Sequence, residues 1–161
     1  MNSSAKEIIS PFERLLADLT ASGVDYAVVG GVAVIANGYL RLTEDLDILV
    51  SDSRDNLVKL LEVLGRFGEG FARELKPDDF PREEGSIRIM EEFDLDVFTL
   101  LRGRVLDDFR PALRRCELAS CSFQHLAPEH LVQIKKGSWR EKDQLDVAAM
   151  NEIIARERKA K

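Results

Sequence analysis

Apolar and polar positions along this chain fall into two periods. Phe12, Leu15, Leu16 and Leu19 recur at helical spacing, behind a Ser10-Pro11-Phe12-Glu13 start that combines a capping serine, a first-turn proline and a returning glutamate. That helix is predicted to end near Ser22-Gly23. A second stripe of Leu57, Leu60, Leu61 and Leu64 predicts a helix from about Ser53 through Phe67. Pro128 opens a shorter helix that carries Lys135. A final helix is predicted over Lys142 to Arg156, with Leu145, Ala148, Ala149 and Ile153 facing inward.

Strand periodicity governs other segments. Tyr26-Ala27-Val28-Val29 reads as a short buried strand, broken by Gly30-Gly31 before the small apolar run Val32 to Ala36. The order is strand, turn, helix, although Val32, Val34 and Ile35 are β-branched and stiff in a helix. Asp45 to Val50, Ile87 to Met90 and Phe93 to Leu100 alternate as strands, and Leu118 to Phe123 is predicted as the last one. Between them, Glu69 to Gly85 is charged, contains Pro77 and Pro81, and is expected as a mobile loop bordering a site. No repeat or low-complexity segment is present. The mixed order predicts an α+β fold with helices packed mainly on one face of a mixed β-sheet.

Composition narrows the picture. With 161 residues, 45% of them apolar and 32% charged, the chain fits one compact domain, its C-terminal helices starting at about residue 128. The balance of 23 basic to 29 acidic side chains, a net charge of −6, argues against broad, sequence-independent contact with nucleic acid. No run approaches the roughly 18 apolar residues of a membrane span, and the first residues lack the features of a signal peptide, so cytoplasmic residence is expected. Cys116 and Cys121 read as ordinary thiols of a reducing compartment. His125 and His130 have no nucleophile constellation nearby.

The chemistry concentrates around Gly30-Gly31 and Asp45-Leu46-Asp47. In an extended strand Asp45 and Asp47 project to one face, while Leu46, Ile48 and Val50 project to the other. Like charges about 4 Å apart repel by roughly 4 kcal/mol at an effective dielectric near 20, so such a pair faces water, a basic partner or a metal. Hard oxygen donors suit Mg2+ or Mn2+. The diglycine lets the backbone approach a phosphate and take positive φ, and the amides that open a helix add donors. Further along, Asp94 and Asp96 share a strand face, and either can join the first two acids if the strands are neighbours.

These residues resemble the nucleotidyltransferase superfamily that shares the DNA polymerase β palm, specifically its small prokaryotic minimal nucleotidyltransferase and AbiEii-like groups. The family pattern is a Gly-Gly or Gly-Ser turn, a downstream Asp-x-Asp, and a later single Asp on an adjacent strand; here these are Gly30-Gly31, Asp45-Leu46-Asp47 and Asp96. Gly38-Tyr39-Leu40-Arg41-Leu42-Thr43 is similar to the Gly-x-x-Arg-x-Thr segment of AbiEii-like sequences. Pro128 to Lys135 and Arg140-Glu141-Lys142-Asp143-Gln144-Leu145-Asp146 are similar to the family's lysine helix and its continuation.

The resemblance implies metal-dependent transfer of a nucleoside monophosphate from a nucleoside triphosphate onto a hydroxyl. Asp45, Asp47 and Asp96 would hold the ions, Gly30 and Gly31 would cradle the phosphates, and Lys135 would neutralise the polyphosphate. Thr43 and Arg41 are expected to line the site, Arg140 and Lys142 to brace the C-terminal helix, and Asp143 and Asp146 to be structural. The acceptor is a protein, a transfer RNA or a small molecule, and the family tie to toxin–antitoxin systems suggests a toxin or antitoxin partner. Two other classes keep the same fold: an antitoxin-like binding module, and a phosphodiesterase that uses the acids on water.

Overall fold

A computed structural model describes residues 2–161. Six strands, β1 (Tyr26–Val29), β2 (Asp45–Val50), β3 (Ser86–Met90), β4 (Asp94–Phe98), β5 (Arg114–Glu117) and β6 (Ser122–His125), form one sheet in the order β3-β4-β2-β1-β6-β5. The sheet is mixed: β2 runs parallel to β4 and β1 to β6, and the other neighbours are antiparallel. Seven helices complete the described chain: α1 (Ser3–Ile9), α2 (Glu13–Ala21), α3 (Gly30–Ala36), α4 (Arg54–Arg66), α5 (Leu106–Phe109), α6 (Pro128–Lys135) and α7 (Glu141–Lys159). The class is α+β, as the segment order predicts. Among the described residues no helix is long and apolar enough to cross a membrane.

The apolar stripes form one core. Phe12, Leu15, Leu16 and Leu19 of the N-terminal stripe are fully buried with Leu46, Ile48, Leu49, Leu60 and Leu64. α3 is helical in spite of its three β-branched residues because Val32, Val34 and Ile35 are completely buried, and packing outweighs weak propensity. α2 ends where expected. Gly23, at φ 73°, lets the Gly23 and Val24 amides return to the Thr20 and Leu19 carbonyls.

Several local readings change. The N-terminal helix starts earlier than Ser10, because Asn2 caps α1 by accepting from the Ala5 amide at 2.8 Å. Ser10–Phe12 is a 3-10 link, and Glu13 bonds Ser120 Oγ at 2.7 Å rather than returning to Ser10. Leu118 to Cys121 is the turn of the β5–β6 hairpin, so the last strand begins only at Ser122. Val105 to Leu113, which shows no clear period, holds α5 and a 3-10 turn.

The 69–85 segment is tied down rather than loose. Glu91 accepts from the Glu69 and Phe71 amides, Arg82 pairs with Asp52, and Thr99 donates to the Pro81 carbonyl. Phe80 is buried.

In α7 the buried positions are Asp146, Met150 and Ile153, whereas Leu145 is 52% exposed and Ala148 also faces solvent. A carboxylate turns the helix: Asp146 is pulled inward by two cations, and the apolar stripe follows it.

Candidate active site

Register assembles the acids. Val29 stands opposite Asp47 across β1–β2, Asp47 opposite Asp96 across β2–β4, and Asp96 opposite Arg88 across β4–β3. One row therefore carries carboxylate, carboxylate and guanidinium side by side, at the close spacing of cross-strand neighbours. Asp45 lies two residues back on the same face as Asp47, opposite Asp94. A cleft of about 640 Å³ opens over the row and is lined by Gly30, Gly31, Arg41, Thr43, Asp45, Asp47, Asp96 and Lys135, among others. Asp94 and residues 69–85 do not line it.

The diglycine fits against this row. Gly30 has φ 68°, and a Cβ there would overlap the Asp47 carboxylate. A Cβ on Gly31 would come 2.9 Å from both Arg41 Nη2 and Thr43 Oγ1. The turn thus brings backbone against the acids where no larger residue fits. Thr43 Oγ1 donates to the Asp45 carbonyl at 3.3 Å, which holds the entry to β2.

Crowding shifts the acids in opposite directions. Burial, then the neighbouring charge of Asp96, pushes the Asp47 carboxyl up to about 7. The Arg88 guanidinium holds Asp96 below the usual carboxylate range. Its Nε and Nη2 donate to Asp96 Oδ1 and Oδ2, both at 2.9 Å, and Ser86 Oγ adds a bond to Oδ1 at 3.3 Å.

Arg88 and Arg102 line the cleft without having been singled out in the sequence, and only its place opposite Asp96 gives Arg88 a role.

Around the rim, Arg41 and Lys135 line the cleft as expected and also pair with acids of α7. Arg41 forks onto Asp146 at 2.7 and 2.8 Å, and Lys135 Nζ lies 2.9 Å from Asp143 and 3.0 Å from Asp146. Asp146 is completely buried, so this ion network fastens α7 to α6 and to the approach to β2. Lys135 lines the cleft with its charge already matched. Arg102, Arg140 and Lys142 line the same cleft and form no ion pair among the described residues.

The donor set of Asp45, Asp47 and Asp96 fits a hard divalent ion, which would offset the burial and the neighbouring charge that raise Asp47. Among the described residues, however, no three such groups are gathered closely enough to coordinate one as they stand. His125 is buried with Nδ1 on the Leu126 carbonyl at 3.0 Å, and it lies outside the cleft.

No protein-family model and no curated protein sequence matches the chain. Solved structures do. The lincosamide antibiotic adenylyltransferase LnuA, crystallised with lincomycin, superposes with a TM-score of 0.61 at 15% identity, covering 91% of this chain and 96% of that one. A candidate nucleotidyltransferase of Thermotoga maritima gives 0.56 at 14% identity, over 96% and 94% of the two chains. An antigenic nucleotidyltransferase-like protein of Paracoccidioides brasiliensis gives 0.52 at 18%, over 92% and 76%.

The fold is that of the nucleotidyltransferases. Within this nucleotidyltransferase fold the acidic row, the diglycine turn and the cationic rim meet in one cleft. Identities of 14 to 18% carry the fold and not the substrates.

Proposed function

We propose that this chain is a nucleotidyltransferase that moves a nucleoside monophosphate from a nucleoside triphosphate to an acceptor hydroxyl, releasing pyrophosphate. One observation carries the reading: Asp47 and Asp96 stand in register on neighbouring parallel strands, with Asp45 on the same face and Gly30 packed against Asp47. Asp45, Asp47 and Asp96 would hold Mg2+ or Mn2+. Such ions lower the pKa of the attacking hydroxyl and offset charge on the attacking and leaving oxygens.

The chain's own groups supply the rest. Gly30 and Gly31 would offer backbone amides to the phosphates, and Thr43 holds the acidic strand in line. Arg102, Arg140 and Lys142 are the unmatched cations available to a polyphosphate, while Lys135 acts through its network with Asp143 and Asp146.

The acceptor is a hydroxyl on a small molecule, a protein or an RNA. The bound lincomycin of the adenylyltransferase favours a small molecule, and the sequence likeness to toxin–antitoxin components favours a protein or transfer RNA. A binding-module reading has its own observation in the exposed Leu42, Trp139 and Leu145.

Labelled nucleoside triphosphate with Mg2+ separates the classes. Transfer gives pyrophosphate and a labelled acceptor, hydrolysis gives free monophosphate, and a binding module gives neither. Mass spectrometry of the protein and co-expressed material for a nucleotide adduct identifies the acceptor in the same experiment.

A further inference from the structure

Arg88 stands on β3, the edge strand of the sheet, with 49% of its side chain exposed. Its guanidinium points inward along the acidic row. Besides the two bonds to Asp96, Nη1 lies 3.4 Å from Asp94 Oδ2 and Nη2 lies 3.9 Å from Asp45 Oδ2. The Asp96 side chain is only 9% exposed. A buried carboxylate beside Asp47 needs a compensating cation, and Arg88 supplies one.

We propose that Arg88 is a positioning residue that acts as the internal counter-cation of the acidic row, and that a divalent ion must displace it to bind. The proposal rests on the reading of Asp45, Asp47 and Asp96 as the ion-holding set. The fork uses both Asp96 oxygens, and the same Nη2 lies 3.9 Å from Asp45 Oδ2, so the guanidinium occupies the gap between two of the acids that would hold the ion. Among the described residues no three acids are gathered in coordinating geometry, and the fork occupies Asp96. The edge position gives Arg88 an exit, since its charge can swing into water. Arginine and metal are thus alternative partners of one carboxylate, and their competition sets the ion's affinity.

The test is Mn2+ binding, read from the electron paramagnetic resonance signal of free Mn2+, for the full chain and for Arg88→Met and Arg88→Lys. Removing one nearby unit charge is expected to tighten Mn2+ binding about fivefold or more in Arg88→Met, while Arg88→Lys stays closer to the unaltered protein. Equal or weaker binding by a folded Arg88→Met overturns the proposal. If that variant fails to fold, the unaltered protein decides: the Arg88 Nε–H resonance should shift and exchange faster with water as Mg2+ saturates. An unmoved resonance at saturation overturns displacement. Should neither the unaltered chain nor a folded Arg88→Met bind Mn2+, the ion-holding reading falls together with this one. Equal binding by both defeats only the role of Arg88.

Discussion

Arg88 and Asp96 face each other across the antiparallel β3–β4 pair, and the guanidinium closes on both carboxylate oxygens at 2.9 Å. The contact ends a row that begins with Gly30 packed on Asp47, so the turn, the two central acids and the edge arginine form one electrostatic unit. A change at any member is felt by the others.

Substitution of Asp45 or Asp47 by Asn should abolish Mg2+-dependent transfer with little loss of folding, since it removes repulsion along with a ligand. Asp96→Asn should reduce turnover more than triphosphate binding. Asp94→Asn should be mild, because Asp94 does not line the cleft. Transfer assays beside equilibrium dialysis of labelled triphosphate distinguish these; full turnover by Asp47→Asn would refute the assignment of the acids.

Gly30 should tolerate substitution far less than Gly31. Alanine at Gly30 must adopt φ 68° and displace the Asp47 carboxylate, whereas at Gly31 no positive φ is required and only the side-chain ends of Arg41 and Thr43, 2.9 Å away, must shift. The expected cost at Gly30 is about 1 kcal/mol or more of stability, together with most of the transfer activity. Urea unfolding and a transfer assay on both variants check this, and equal behaviour would mean the close approach to Asp47 does not matter.

The buried ion network should dominate the stability of the C-terminal helices. Asp146→Ala strands the Arg41 guanidinium, whose side chain is 14% exposed, and leaves Lys135 with Asp143 alone; it should cost about 3–5 kcal/mol. Asp143→Ala leaves Asp146 in place to hold Lys135 and should cost much less. Thermal or denaturant midpoints of the two variants give the comparison; similar losses would show that Asp146 is not the hub.

Stability should respond to pH through Asp47. Its folded pKa, raised to about 7 by burial and by Asp96, exceeds the value near 3.9 of an unfolded aspartate. Between those values the folded chain holds a proton that the unfolded chain has lost, so stability falls as pH rises across that window. Asp96 runs the other way: Arg88 lowers its pKa, and the stability it contributes is lost as pH drops through the folded value in the acid range. Urea midpoints at about pH 5 and 7.5 should therefore differ less in Asp47→Asn than in the unaltered protein. An unchanged slope would contradict the burial of Asp47.

Most of the local elements were legible in the sequence because each has a short-range cause. Tyr26–Val29 is a strand where its short apolar run marks one, Asp45–Val50 where its alternation does, and Ser53 caps α4 by accepting from the Asn56 amide. Gly23 ends α2 for the same kind of reason. The 118–123 strand was misplaced because Cys121 and its neighbours form a turn with no glycine or proline to mark it. The inward face of α7 was misread because apolarity predicted Leu145, whereas Asp146 is drawn in by cations from distant segments.

The sequence by itself determined the two-period pattern, the diglycine turn and the shared face of Asp45 and Asp47, since strand and helix geometry follow from neighbouring residues. Tertiary structure set the register that puts Asp96, the acid the family resemblance implied, opposite Asp47, and it alone decided that Arg88 closes the row and that Arg41 and Lys135 converge on Asp146. Each of those depends on strand register or on charges far apart along the chain. No local periodicity encodes such pairings; they are fixed only when the sheet forms and buried charges must find partners.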